Sequence, residues 1–436
     1  MPKRLIITDK PRRPKQGVAA LTVVMILFFI MALVAAYTNR NLVFEQRISA
    51  NSYRAARAME SSDSAIEWAL VMLNGGRVDD NCVASDSAGQ PDFRQRYLAE
   101  TTSATGIDGT YARIATGVAA PAHVLLPACI NVGGNLRCIC PTPANPNPAI
   151  GAPGDGIGSA FKLGVVSAFV KDQPGVVQIL VRGCSNPGAA NTGCYAQITA
   201  PPVVDTVSGA LTTFGLVRAL PVPPTAALTT GRNIVVTAGV LSIENNGSTP
   251  LKAHAGGTIT PPTDTNEGFV TDNSLSTLRG TDPSLAWFNA LFGMPVADYK
   301  RQPAVVTCAA GCTGANLVAI LAGHPHNPIW VEGDLDISTA ASLGSATDPM
   351  MLIVAGTLTL SADAQLVGFV HANNIVWNAA GAAMQGAMVA ATNFTSSTNA
   401  SLSYNKPVLD IIRLRYGSFV RVPGSWNQTD IFAFPD

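Results

Sequence analysis

The sequence is short of charge and short of aromatic rings. Only 13% of its 436 residues are Asp, Glu, Lys or Arg, and only 6% are Phe, Trp or Tyr. Soluble domains carry roughly 25% charged residues, and helical bundles and coiled-coil rods carry more, so neither is the main architecture. Bulk disorder is excluded too, because it goes with low hydrophobicity and high net charge, whereas this chain is 47% hydrophobic with a net charge of zero. Taken whole, that zero offers nucleic acid nothing to hold. What the chain has instead is length for two or three domains and 39 glycines beside 30 prolines.

The zero is an uneven sum. Ahead of Gly17 stand six basic residues (Lys3, Arg4, Lys10, Arg12, Arg13, Lys15) and one acid, Asp9, giving +5; the 419 residues that follow Gly17 carry −5. Residues 18–37, VAALTVVMILFFIMALVAAY, contain no charge. As a helix this run would span ~30 Å, the thickness of a bilayer core, and it is the sole segment of its kind. The positive-inside rule leaves the basic leader in the cytoplasm and sends the rest across.

Three readings of this start compete. A cleaved secretory signal has a shorter apolar region, ~7–15 residues, although Val34-Ala35-Ala36 mimics its cleavage site. A plain signal anchor is the second. In the third, Lys15-Gln16-Gly17 marks a cleavage point before the apolar run, which then stays in the mature chain. The residues that follow favour the third reading. From Arg40 to Leu73 there is neither Pro nor Gly, and Gly75-Gly76 forms a helix stop. Phe44, Ile48, Ala55, Met59, Ile66, Leu70 and Leu73 recur in steps that make one helical stripe. The spacing predicts one helix of ~55 residues, apolar first and amphipathic afterwards.

Residues 16–73 resemble the N-terminal region of PilX-type minor pilins of type IV pili. A basic leader ends in Gly, and an uncharged helix follows. After it come an N-x-x-R-A-x-x-A stretch at Asn51–Ala58, a small and acidic segment at Glu60–Ala65, and Trp68-Ala69-Leu70. The resemblance implies that a prepilin peptidase cuts between Gly17 and Val18 and that Val18 is methylated. It implies that Leu21, Thr22, Ile26, Phe29 and Leu33 lie on the membrane and filament helix. The implied partners are other major and minor pilins, the peptidase and the inner-membrane assembly platform. The implied location is the inner membrane before assembly, then the periplasm and the extracellular pilus. Most major pilins place a Glu five residues into the mature chain, where it neutralises a neighbour's amine; here that residue is Thr22. A subunit with nothing above it has no such amine to meet, so Thr22 fits the tip complex. The large tip pseudopilin of type II secretion shares this departure.

All eight cysteines lie between residues 82 and 312, on what should be the outer side of the membrane. An even count there reads as disulfides. Cys184 with Cys194 and Cys308 with Cys312 are the local pairs. Cys82, Cys129, Cys138 and Cys140 allow three pairings, and the sequence does not choose. Neither Cys138-Ile-Cys140 nor Cys308-x-x-x-Cys312 has the second Cys pair of a zinc site.

Residues 76–225 read as a pilin-like, β-rich region. Phe161–Val170 and Val176–Val181 form a hairpin around Asp172-Gln-Pro-Gly175, with a third strand at 195–199. Residues 226–436 repeat. Gly333-Asp-Leu-Asp-Ile-Ser338 returns as Gly356-Thr-Leu-Thr-Leu-Ser361, and Gly239-Val-Leu-Ser-Ile243 is a looser copy. Gly368-Phe-Val-His-Ala372 returns as Gly386-Ala-Met-Val-Ala390. Such spacings, with Asn at the corners (Asn373, Asn374, Asn378, Asn393), point to a right-handed parallel β-solenoid; a sandwich of short hairpins is the alternative. An insertion spans 263–325, with a short amphipathic helix at Leu285–Phe292. Late in the chain, VPGSW at 422–426 also resembles long PilX-type proteins.

Catalytic sets are not assembled by the sequence. Asp334 and Asp336 share one strand face, where they read as a solvated edge or a Ca²⁺ site. His324-Pro-His326 has no third ligand at metal-binding spacing, and His123, His254 and His371 stand apart. No phosphate loop or nucleophile elbow occurs. Arg413-Leu-Arg415-Tyr416 and Lys300-Arg301 are the candidates for nucleic acid, and they fall in a net acidic chain. The expectation is an α+β protein. A long N-terminal transmembrane and amphipathic helix (18–75) precedes a β-rich head that ends in a β-solenoid. It is not an enzyme, holds no cofactor or metal, assembles pili at the tip and presents an adhesive head to a surface ligand. The alternatives are an inner-membrane-anchored periplasmic β-helix that binds or cleaves polysaccharide, from another class, and a type II secretion pseudopilin.

Overall fold

The structure, a computed structural model, describes residues 16–103, 106–113, 115–116, 123–143, 158–166, 173–186, 194, 206–245, 251–260, 267–277 and 283–429. The leader through Lys15, the strand expected at 195–199 and the end of the expected hairpin at 167–170 lie outside those residues. The chain divides into two compact units, residues 1–56 and 57–436. The first is helical from Gln16. One helix, α1 (Gln16–Asn74), covers the expected span and stops at Gly75. With no Pro inside and no Gly beyond its first turn, nothing breaks its hydrogen-bond ladder.

The last turns of α1, from Arg57, line the second unit. Their buried face is Ala58, Ser61, Ser62, Ala65, Ile66, Ala69, Met72 and Leu73. This corrects the stripe read from the sequence: Ile66 and Leu73 are buried, but Met59 is 39% exposed and Ala55 is exposed. The reason is a close backbone approach. A Cβ on Gly183 would lie 2.3 Å from the Ala58 carbonyl oxygen and 2.4 Å from the Ser62 nitrogen, so only small side chains fit the helix there.

After α1 come the short helix α2 (Phe93–Tyr97) and two small antiparallel pairs, β1 (Leu98–Ser103) with β2 (Gly106–Arg113) and β3 (Ala115–Thr116) with β4 (His123–Val124). Next are β5 (Ala128–Val132), β6 (Asn135–Ile139), β7 (Gly158–Val166), β8 (Val176–Cys184) and β9 (Val207–Arg218), which pair antiparallel in the order β9-β8-β7-β5-β6. Strands β7 and β8 are the expected hairpin. Phe161, Leu163, Val165, Val177, Ile179, Val181 and Phe214 form a core with Ala65, Ile66, Ala69 and Leu73 of α1. Burying each large apolar side chain contributes about 1.5–3 kcal/mol.

The chain then builds a 15-stranded sheet whose pairings are all parallel. Its first part is β10 (Leu228–Thr230), β11 (Ile234–Val236), β12 (Leu241–Asn245), β13 (Ala253–Ala255), β14 (Ile259–Thr260) and β15 (Phe269–Thr271). Helices α3 (Asn273–Thr277), α4 (Pro283–Phe292) and α5 (Val296–Lys300) follow, then β16 (Val306–Cys308) and α6 (Gly314–Gly323). The second part is β17 (Ile329–Val331), β18 (Leu335–Ile337), β19 (Ala341–Leu343), β20 (Met350–Leu360), β21 (Ala364–Trp377), β22 (Ala383–Ala390), β23 (Phe394–Ser396) and β24 (Ala400–Tyr404).

Register sorts these strands into three ladders. The first runs β16, β17, β20, β21, β22, β10, β13, β15. The second runs β18, β20, β21, β23, β11, β14, and the third β19, β21, β22, β24, β12. Leu335 sits opposite Leu358, and Gly368 opposite Gly386, so both of these sequence repeats are register steps of the sheet. The Gly239 copy differs: Leu241 pairs with Ala400 in the third ladder, while the Gly333 and Gly356 copies lie in the second. Along the second ladder Leu335, Ile337, Leu358, Leu360, Ile375, Trp377, Phe394 and Ile234 are buried and Asp336 is exposed, the period-2 pattern of strands.

Two domain boundaries shift. The sheet begins in its own middle, since β10 pairs with both β22 and β13. After β15 the chain returns along the sheet to start again at β16. The described parts of that return are 272–277 and 283–305, and the expected insertion at 263–325 also takes in β15 and β16, because three-residue strands such as Phe269–Thr271 give no periodic signal. Beyond β24, helix α7 (Lys406–Arg415) leads to β25 (Gly417–Arg421) and β26 (Asn427–Thr429). Both pair antiparallel with β9, so the last strands belong to the first sheet and not to a C-terminal domain at 226–436.

Candidate functional site

Helix α1 contains an 18-residue window of mean hydropathy 2.6, none of it buried, which is long and apolar enough to cross a membrane. Gly17 and Val18 lie in its first turns. Leu21 is 62% exposed, Ile26 60%, Phe29 66% and Leu33 56%, and Thr22 is exposed as well. Water does not tolerate so continuous an apolar surface, so this face calls for lipid or other helices. Farther along, Phe44, Ile48 and Tyr53 are exposed among Arg40, Glu45, Arg47 and Arg54.

The seat of the helix's last turns uses hydroxyls. Ser61 Oγ donates to the Ala160 carbonyl at 2.8 Å, and Ser62 Oγ to that of Ser208 at 2.9 Å. Asn74 closes α1 as a surrogate strand edge: its Nδ2 donates to the Phe419 carbonyl at 2.9 Å, and its Oδ1 accepts from the Phe419 N–H at 2.8 Å. Helix-end carbonyls need outside donors. Arg94 supplies one to Leu73, while its other nitrogens reach the Arg415 and Gly417 carbonyls, and Asn327 Nδ2 donates to the Asn74 carbonyl at 3.0 Å. Gly76 lies so near the Gly323 carbonyl that a Cβ would stand 2.3 Å from it.

Beside this seat is a charged cluster that the sequence did not announce. His326 Nε2 stands 2.8 Å from Asp348 Oδ1, and Nδ1 is bonded to Asp92, the N-cap of α2. With a carboxylate on each nitrogen, the ring is an imidazolium donating twice. Burial pulls its pKa down, but the two hydrogen bonds and the charges of Asp92 and Asp348 outweigh that and raise it to about 9. Burial pushes Asp92 up, yet His326, the Gln95 N–H and Arg94 hold it below its ordinary value. Asp348 is lowered by its bond from His326 against partial burial, with help from Arg77 and Arg415. Neither nitrogen of His326 is left to take a proton, so the cluster fastens rather than catalyses. Its neighbour His324 moves the other way, lowered chiefly by burial.

The remaining candidates disperse. Asp334 Oδ1 accepts from the Thr357 N–H at 2.7 Å and Asp336 Oδ1 from the Ser361 hydroxyl at 2.7 Å, so one carboxylate is bound by β20 and the other by the residue that follows it. Among the described residues no group of three or more His, Cys, Asp or Glu could hold a metal ion. Lys300 pairs with Glu332, Arg301 with Asp298 and Arg413 with Asp410, while Tyr416 is buried and donates to the Pro325 carbonyl. The cysteines form Cys82–Cys140, Cys129–Cys138, Cys184–Cys194 and Cys308–Cys312. Of the three pairings open to the first four, the fold selects this one because Cys129 and Cys138 sit opposite each other on β5 and β6.

Comparison with known proteins bears on the helix. The family model described as PilX N-terminal matches residues 16–67. No curated protein sequence matches the chain. Among solved structures, the competence-associated pilin ComZ from Thermus thermophilus aligns over 86% of this chain and 97% of its own, at 8% identity and a TM-score of 0.21. That likeness is too slight to carry an argument. The family match falls on α1 alone, so what it shows is that residues 16–67 are similar to the PilX N-terminal family.

Proposed function

We propose that this chain is a minor pilin that helps assemble a type IV pilus from within the tip complex. The observation that carries this reading is the PilX N-terminal match on a helix whose first half leaves its apolar side chains exposed. A prepilin peptidase cuts between Gly17 and Val18, Val18 is methylated, and the helix waits in the inner membrane with the head outside the cytoplasm. On assembly, Leu21, Ile26, Phe29 and Leu33 exchange lipid for the helices of other pilins at the assembly platform. Thr22 in place of a carboxylate suits a subunit with no neighbour's amine to neutralise.

The parallel sheet is the adhesive head in this reading. Three parallel ladders, in which β17 stacks on β20, β20 on β21 and β21 on β22, support the reading of a β-solenoid, for which the right hand remains the one proposed from the sequence repeats. It recognises a surface ligand, and the protein performs no chemistry of its own. Mass spectrometry of the membrane-extracted protein tests the core of the proposal. A mature chain starting at Val18 is expected. An intact Met1 start would point to the anchored polysaccharide-binding alternative, and loss of everything through Ala36 to a cleaved secretory signal. Immunogold against the head on sheared filaments tests placement: label at one end is the tip outcome, and label along the shaft rejects it.

A further inference from the structure

His371 lies on β21, in the outward row of the first ladder that runs Trp330, Ile353, His371, Val389, Thr229, His254. On most strand faces an outward residue meets water, but His371 is only 5% exposed. The return segment between β15 and β16 covers it. Phe288 and Phe292, one turn apart on α4, meet its ring edge-to-face at 5.7 and 5.5 Å, and Tyr299 of α5 packs against both phenylalanines. Trp330 closes the side through Phe288, and Phe369 lies against Phe292.

The imidazole is out of place in this slot. Among the described residues neither of its nitrogens has a hydrogen-bond partner. A buried polar group left unpaired costs about 1–3 kcal/mol, and a phenylalanine or leucine would avoid that cost. No carboxylate compensates. The ionic pairs on the strap and on this row serve other groups: Lys300 binds Glu332 and leans on Trp330, and Asp272 stands 3.5 Å from His254 two strands beyond Val389. Burial alone acts on His371, pushing its pKa down to about 4. Tyr299, which packs against the same two phenylalanines of α4, is pushed up by burial and stays neutral.

We propose that the segment carrying α4 and α5 is a strap held down only while His371 is neutral, and that acid lifts it from the first ladder. A proton on His371 places a cation among Phe288, Phe292 and Trp330 with no anion to meet it. Lifting the strap hydrates the ring and uncovers the apolar face of α4 formed by Trp287, Phe288, Leu291 and Phe292. The ladders below keep their backbone pairing, because none of it runs through the strap.

Amide exchange of the full chain, compared at pH 7 and pH 4 and corrected for intrinsic rates, tests this. Protection over 283–300 should fall about a hundredfold, the ratio set by an ordinary value of 6.5 against about 4, while β20 and β21 keep theirs. His371→Leu should retain strap protection at both pH values. His371→Gln, polar but not titrating, should show weaker protection that does not change with pH. Undiminished strap protection in the unaltered chain at pH 4, or the same acid loss in either variant, overturns the proposal.

Discussion

At the scale of single residues, the positions that decide this fold are those that hydropathy passes over. Gly183 is one. An added Cβ would collide with the backbone of α1 and not with a movable side chain, so Gly183→Ala should lower stability by about 2 kcal/mol, read by denaturant unfolding of the purified protein. An unchanged midpoint would mean that α1 is not seated on β8. His326 is another. Its folded value near 9 lies above the ordinary 6.5, so its stabilisation is complete below pH 6.5 and fades as pH rises through 9. Asp92 and Asp348 lie below the ordinary 3.8, and theirs is complete above that value and lost toward lower pH. The cluster is therefore strongest between about pH 4 and 6.5. His326→Gln should remove an alkaline loss of about 3 kcal/mol between pH 6.5 and 9, measured by unfolding across that range. Sequence could not show this cluster, because 234 residues separate Asp92 from His326 and His-Pro-His by itself reads as a loop.

At the scale of elements, legibility follows how local the cause is. Helix α1 was readable because Gly and Pro are missing from residues 18–74 and charge from residues 18–37, and each absence acts within a few turns. Its buried face was only partly so, since where β8, far along the chain, approaches it the face is made of Ala58, Ser61 and Ser62, while Ile66 and Leu73 follow the expected stripe. The rungs at Leu335 and Leu358 were readable because a register step preserves both the Gly and the inward Leu. The three-residue strands at 269 and 306 were not, because a period of two needs more residues to appear. Disulfides divide in the same way. Cys308–Cys312 closes 4 residues and Cys82–Cys140 closes 58, and the entropy removed from the unfolded chain grows with the loop. Replacing the Cys82–Cys140 pair by serines should cost about 4 kcal/mol, against about 2 for Cys308–Cys312. Paired unfolding curves check the order, and a reversed order would show that native contacts around the bonds, not chain entropy, set their worth.

At the scale of the whole molecule, the two sheets are joined at one place, where β9 meets β25. Strands β9 and β25 pair, with Arg218 opposite Gly417 and the Ala219 N–H donating to the Tyr416 carbonyl at 2.8 Å. Everything from 219 to 416 therefore leaves and re-enters at one point, as if it were the loop of a hairpin. An insertion with adjacent ends disturbs its host little. Excising 219–416 and joining the ends through Asn-Gly, the residues a two-residue hairpin favours, should leave a chain that still folds. It should keep the antiparallel register of β7, β8 and β9 and its disulfides Cys82–Cys140, Cys129–Cys138 and Cys184–Cys194. Stability should fall, because Asp92 loses His326 and Asn74 loses Asn327, although both become hydrated instead of buried and unpaired. Nuclear magnetic resonance on a version lacking residues 1–56 would report the register directly, and non-reducing peptide mapping would report the bonds. If the shortened full chain still enters filaments in cells while surface attachment is lost, assembly resides in α1 and its antiparallel seat and attachment in the parallel sheet. If it folds yet fails to enter filaments, the head itself takes part in assembly, and the separation of roles argued from the topology does not hold.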